Sequence, residues 1–315
     1  MFSIIIPAIG NDISLAVLQA TVGSVIAQRH ITDVIIVADD LNLEKAKQIN
    51  SQYPVTKMVS SCKPGFASAC NAGLAAAGGE LISYLQPGDL VDEHYFADKI
   101  EYLTTHSECD ACYGQHRYTD KNHNTKRYPL YTDSTRYARE HLVNFLSGTY
   151  LPQSSIVWRK AYLIRRAGHN EDYAVESDIE LFVRSIFHGL RIIAVAGEST
   201  IAIASVPGYL GTAATLAGVE NWRQVLRIRK KMFADLRKFS FEEDDCFLAL
   251  GTFLFDRWMT LRHEHREVAI EFLEFAKKVC WPLPVKGGAI VRLAAMILGP
   301  DRAIELLQPA GKKRK

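Results

Sequence analysis

Several common signatures are missing from this chain. No Gly-x-Gly-x-x-Gly follows the first apolar segment, and no Gly-x-x-x-x-Gly-Lys-Ser/Thr loop occurs. Dehydrogenase and P-loop readings lose most of their ground. The cysteines at 62, 70, 109, 112, 246 and 280 are scattered. Only Cys109 and Cys112 form a close pair, and no second pair completes a zinc site, so buried reduced thiols are expected. No run reaches the roughly 18 uninterrupted apolar residues of a membrane span. A basic, apolar leader is also lacking at Met1–Pro7, which predicts a protein made and kept in the cytoplasm. The formal charge is only +2, divided into −4 over residues 1–205 and +6 over 206–315. That excess suits an anionic membrane surface or a polyanion, or simply a solvated face, and no nucleic-acid partner is expected.

What is present is an apolar, patterned front half. With 315 residues and 48% hydrophobic content the chain has ample material for a core. Phe2–Pro7 reads as a buried strand stopped by proline. Asn11-Asp12 then caps an amphipathic helix through Leu15, Leu18, Val22, Val25 and Ile26, ending near Gln28. Asp33–Asp40 reads as a second buried strand, 44–52 as a helix and 55–60 as a third strand. Residues 66–77 form a helix whose small Ala/Gly face allows close packing, and Leu81–Leu85 is a fourth strand. Strands alternating with helices predict an α/β fold, a mostly parallel sheet with helices on both faces. Asp39, Asp40 and Asp89 then share one strand-end edge, where open α/β sheets bind ligands.

The stretch 79–96 organises this reading. After Leu81–Leu85, Pro87-Gly88 must turn the chain, leaving Asp89 just past a strand's carboxyl end. A carboxylate there can stabilise the turn, or share a divalent cation with a substrate's phosphates.

In order, Ser3-Ile-Ile-Ile-Pro7, Ser24–Gln28, Val34–Asp40, Gly65–Gly73, Ala77–Leu85 and the turn to Asp89 resemble the inverting glycosyltransferases of family 2. Tyr113-Gly114, Ser155–Arg159, Gly168 and Ser177–Arg184 extend the resemblance over about two thirds of the chain. It implies a GT-A type, Rossmann-like fold at 1–205, with a helical C-terminal region at 206–315. It also implies a nucleotide-sugar donor, probed first as UDP-linked, and a glycan or lipid-linked acceptor. On this basis Pro7, Ala8, Asp39, Asp40, Lys63, Asn71, Gln86 and Asp89 are the donor-side residues, with Asp89 the ligand for Mn²⁺ or Mg²⁺. Asp178, placed at a helix start by counting back from Arg184, inherits the role of base. Gln153, Ser154 and Glu176 fall on the acceptor side.

Two departures from the family pattern stand out. Where Asp-x-Asp is usual, this chain has Gln86-Pro87-Gly88-Asp89, as in a subgroup with Asn or Gln, a small residue, Gly and Asp. Cys70 stands where many relatives carry Arg. These losses motivate the rival reading, a catalytically silent binder of nucleotide or glycan. Sugar nucleotidyl transfer would need a Gly-rich, Arg-containing loop after the first strand, which Pro7–Asp12 does not supply.

Behind Val206 the resemblance fades. Pro207-Gly208 and Gly211 read as a loop over the active edge. Helices are expected at 221–239, 247–258 and 268–279. The apolar segment Ala289–Leu298 beside Trp281, with the tail Lys312-Lys-Arg-Lys315, suits peripheral attachment to the inner face of an anionic membrane. The same segment equally suits a core helix or a homodimer interface.

Overall fold

The computed structural model describes residues 1–10, 13–28, 31–61, 63–119, 125–126, 129–131, 137–197, 200–203, 218–241, 244–283 and 299–300. The chain divides into two compact units, one of residues 1–141 with 150–224 and the other of 142–149 with 225–315.

In the first unit the strands β1 (Phe2–Ala8), β2 (Ile31–Ala38), β3 (Thr56–Ser60) and β4 (Leu81–Tyr84) alternate with helices α1 (Leu15–Ile26), α2 (Leu43–Gln52) and α3 (Phe66–Ala76). Further on come β5 (Leu90–Val91), α4 (Ala97–Thr105), β6 (Ala111–Tyr113), β7 (His116–Thr119), β8 (Thr125–Lys126) and α5 (Tyr137–Ser147), which belongs to this unit only as far as His141. A 3₁₀ turn (Gln153–Ser155) leads into β9 (Ile156–Arg159), followed by α6 (Lys160–Arg165), α7 (Ser177–Phe187), β10 (Ile192–Ala194) and β11 (Ile201–Ile203). The main sheet has seven strands in the order β10-β6-β9-β4-β1-β2-β3, with β9 antiparallel to both neighbours. A second sheet, β5-β11-β7-β8, has no counterpart in the sequence reading.

β1 and β2 are buried along both faces, which is why they read as continuous apolar runs. Ile4, Ile6, Val34 and Ile36 pack with Leu18, Val22 and Val25 of α1 and Ala46 and Ile49 of α2. On the other face α3 comes close enough that a Cβ on Gly73 would collide with the Ile5 side chain. The expectation of helices on both faces and a small-residue contact at α3 is met.

Proline does not stop the first strand. β1 runs through Pro7 to Ala8, in register with Val37 and Ala38. The carbonyl of Ile5 accepts from Leu85 on the β4 side, so Pro7, two residues on, turns its nitrogen to the same side, beyond the end of β4 at Tyr84. The missing N–H thus falls where the β4 pairing ends, and the register with β2 is untouched. Asn11 and Asp12 lie outside the described residues; the cap of α1 is Ser14, whose hydroxyl accepts from Val17 N at 3.3 Å.

The second unit contains α8 (Val219–Lys238) from Val225 onward, α9 (Asp244–Leu261) and α10 (Arg266–Val279). α9 and α10 pack closely, with Gly251 against Cys280. Phe233 meets Phe247 and Phe275 edge-on, and the guanidinium of buried Arg229 lies 4.3 Å from the Phe253 ring centroid. The loop at 207–211, the segment Ala289–Leu298 and the basic tail are outside the described residues. Among the described residues no helix is long and apolar enough to cross a membrane, and five cysteines are free thiols.

Candidate active site

Strand polarity gathers the predicted residues. β1, β2 and β4 are mutually parallel, so their carboxyl ends share one edge. Because β9 runs the other way, the turn Gln153–Ser155 before it comes to that same edge.

The turn after β4 is built to hold its acid. Asp89 N donates to the Gln86 carbonyl at 2.9 Å, and Asp89 Oδ2 accepts from Gln86 N at 3.0 Å. Gly88 sits at φ +100°, a region that favours glycine, and its N–H donates to Thr21 Oγ1 at 2.7 Å. Asp89 is buried, and the Ser154 hydroxyl donates to the same Oδ2. The turn-stabiliser role of this residue is thus met by its own contacts. Among the described residues no group of three or more His, Cys, Asp or Glu could hold a metal. A single hard oxygen donor fits Mg²⁺ or Mn²⁺ shared with a diphosphate, and does not fit a metal held by protein alone.

At the end of β2, Asp39 is committed locally. Its Oδ2 accepts from Gly10 N at 2.6 Å and its Oδ1 from Asn42 Nδ2 at 2.8 Å. Asp39 thereby holds the segment leaving β1, where Pro7 and Ala8 are buried, while Asp40 is exposed.

Lys63 and Asn71 face a loop. Asn71 Oδ1 accepts from His169 N at 2.9 Å, and its Nδ2 donates to the His169 carbonyl at 2.9 Å and to Glu171 Oε1 at 3.1 Å. Lys63 pairs with Glu171 Oε2 at 3.0 Å on the surface. The Asn71 amide and the Lys63 ammonium together hold the Glu171 carboxyl below its usual range. Both amide hydrogens and the oxygen of Asn71 are thus engaged in holding the loop at His169–Glu171. Gly168 (φ +60°) makes this possible, since a Cβ there would strike Asn71 Oδ1.

Asp178 lies in the first turn of α7, after Glu176 in a left-handed conformation (φ 55°). It keeps some solvent-accessible surface, yet protein crowds its carboxyl group. Burial, reinforced by the charge of Glu176, pushes it up to about 6, against the opposing pull of the Ile179 N–H and its own N–H. Cys70, fully buried on α3, feels the Asp178 charge; burial foremost and then Asp178 push its thiol up against the opposing influence of Gln153, so it stays protonated. α7 is tied down by Arg184, whose Nε binds Glu180 at 3.0 Å while Nη2 donates to the Gly168 carbonyl at 2.7 Å.

Sequence reasoning missed His169. It is buried, with Nε2 3.1 Å from Gln153 Nε2 and Nδ1 3.3 Å from Ser177 Oγ. Tyr84 and Phe66 flank its ring edge-on at 5.2 and 5.9 Å. Burial, helped by the charge of Arg184, drives the imidazole down to about 3, so it is neutral. A contact path thus runs from Asp89 through Ser154, Gln153 and His169 to Ser177 beside Asp178.

The solved structures that this chain resembles share its fold. S. aureus TarS 1–349 in complex with UDP-GlcNAc superposes with a TM-score of 0.67 at 14% identity, over 99% of this chain and 93% of that one. S. aureus TarS itself gives 0.63 at 15% identity, over 96% of this chain and 53% of that one. The mannosyltransferase PcManGT from Pyrobaculum calidifontis, in complex with GDP-Man and Mn²⁺, gives 0.50 at 15% identity, over 98% and 81%. No curated protein sequence is a significant match. The architecture is that of the GT-A glycosyltransferases. Residues 3–163, half of the chain, match the family described as glycosyl transferase family 2, and the chain belongs to that family.

Proposed function

We propose that this glycosyltransferase transfers a sugar with inversion from a UDP-linked donor to a hydroxyl of a surface or cell-envelope glycan or lipid-linked acceptor. The observation that carries the reading is Asp178, a carboxylate raised to about 6 at the start of α7 and linked by contacts to the Asp89 turn. A base poised near neutral pH accepts a hydroxyl proton readily, whereas a mere binder has no need of one. The acceptor oxygen forms its bond to the anomeric carbon as the sugar–diphosphate bond breaks opposite. The electron pair leaves with the nucleoside diphosphate, and the proton goes to Asp178.

Asp89 would hold Mn²⁺ or Mg²⁺ together with the donor diphosphate. Such an ion, when bound, neutralises charge on the leaving group. Pro7, Ala8, Asp39 and Asp40 border the nucleoside end, and Gln86 and Asp89 the diphosphate. The donor class is chosen by likeness, TarS having been solved with UDP as well as UDP-GlcNAc. Gln86 and Gly88, in place of the usual acids, favour the second reading of a silent binder.

Calorimetric titration with UDP, GDP and dTDP, each with and without Mn²⁺, tests the donor site on wild type and Asp89→Ala. Manganese-dependent UDP binding that disappears in the variant is the expected result. Failure of all three nucleotides in every condition would sink the donor assignment. Donor hydrolysis abolished by Asp178→Asn separates the enzyme from the binder.

A further inference from the structure

We infer that His169 is a positioning residue that locks the Gln153–Ser155 turn to the first residue of α7, and so sets Asp178 in place relative to the Asp89 turn. The inference rests on the donor-site reading above for its catalytic meaning, and on contacts alone for its structural one.

His169 is held from four sides. Asn71 bonds both its backbone N–H and its carbonyl, at 2.9 Å each, fixing the main chain to α3. Phe66 and Tyr84 confine the ring. Gln153 and Ser177 meet its two nitrogens. A neutral imidazole carries one N–H, and the partners decide where it sits. Nδ1 faces the Ser177 hydroxyl oxygen, which can accept, and Nε2 faces an amide nitrogen, which can only donate, so the hydrogen sits on Nδ1. Nε2 then accepts from the Gln153 amide nitrogen. That choice turns the Gln153 carbonyl oxygen away, and it is buried with no hydrogen-bond partner. The amide is oriented by the imidazole rather than by its own full satisfaction.

The two ends of this strut carry the chemistry. Ser154, next to Gln153, donates to Asp89, and Ser177 precedes Asp178. Glu176, Cys70 and Arg184 are the titratable or charged groups that bear on Asp178 and His169. A displacement of about 1 Å between reacting groups can cost on the order of 100-fold in rate, so a strut between anchor and base has a catalytic effect without touching substrate.

His169→Phe keeps a ring between Phe66 and Tyr84 and removes both nitrogen contacts. His169→Asn keeps a donor toward Ser177 only. Three quantities are measured on each, namely UDP affinity with Mn²⁺, kcat and KM for UDP release from UDP-GlcNAc, and the ionisation midpoint of Asp178 by carboxyl ¹³C NMR. For His169→Phe the UDP affinity should stay within about 2-fold, with kcat falling about 10-fold or more and KM little changed. Its Asp178 midpoint should drop by about half a pH unit or more as the first turn of α7 loosens. His169→Asn should recover much of both losses. An unchanged kcat and midpoint in His169→Phe, or an asparagine variant no better than it, overturns the inference. If wild type neither binds UDP nor releases it, the donor reading fails, while the Asp178 titration still judges His169. Should His169→Phe not fold, His169→Gln, which keeps the Gln153 contact and loses that to Ser177, is judged by the same midpoint.

Discussion

Asp178 is the residue whose environment most directly constrains chemistry. Its raised midpoint near 6 means that the carboxylate is mostly protonated, and useless as a base, below that pH. Donor turnover should therefore rise through pH 6 to a plateau, with only about a tenth of the plateau rate remaining one unit below the midpoint. Glu176→Gln removes a neighbouring negative charge that helps hold the midpoint up, so the limb should move toward acid. A pH–rate profile of both proteins checks this. A flat wild-type profile from pH 5 to 8 would exclude Asp178 as the base. Asp89 differs, because there the turn itself supplies a hydrogen bond to the carboxylate. Local sequence foretold that turn; nothing local foretold the crowding of Asp178.

At the scale of elements, α3 shows how packing constrains sequence. Gly73 lets the helix lie against Ile5 and Val37, and the added methyl of Gly73→Ala would press on the Ile5 side chain. Helix propensity alone favours alanine by about 1 kcal/mol. Overpacking costs about 1–3 kcal/mol, so steric crowding should win and the variant should melt earlier in urea. A variant as stable as wild type would mean that α3 can retreat from the sheet. The alternation of β1, α1, β2, α2, β3, α3 and β4 was legible because β1, β2 and β4 bury continuous runs and α1 and α3 bury helical stripes, which frame the shorter signals of α2 and β3. β5, β7, β8 and β11 were not, being two to four residues long with no period to read. His169 escaped for another reason. Its main-chain partner Asn71 is 98 residues away in sequence, and a lone histidine after a glycine carries no pattern of its own. The apolar spacing did place Ser177-Asp178 at the start of α7, because helix geometry is local. The partners of Lys63 and Asn71 lie across the chain, so the surface pair with Glu171 and the clamp on His169 had no signal at the sequence level.

For the whole molecule, buried imidazoles set the direction in which pH moves stability. His141 is fully buried among Tyr113, Tyr131 and Phe182, and burial pushes it down to about 4; His169 is driven to about 3. In the unfolded chain each would titrate near 6.5. Their contribution is full above that value, because neither state then carries the proton. As pH falls below 6.5 the unfolded chain gains protons that the native protein refuses, and the loss is complete only near the folded values. Asp178 acts in the opposite sense. Its folded value is raised, so the cost of ionising it in place is absent below the ordinary carboxylate range and grows as pH rises through 6. Between pH 6 and 4.5, two histidines thus oppose one carboxylate, each contributing a slope of about 1.4 kcal/mol per pH unit at most. Asp33 and Asp92, held below their ordinary values in the folded protein, add to the loss only at still lower pH. The urea midpoint should accordingly fall from pH 7 to 4.5. His141→Phe, which preserves ring packing and cannot take a proton, should flatten a large part of that fall. Equal slopes in the two proteins would show that His141 is already charged, or already hydrated, in the native state.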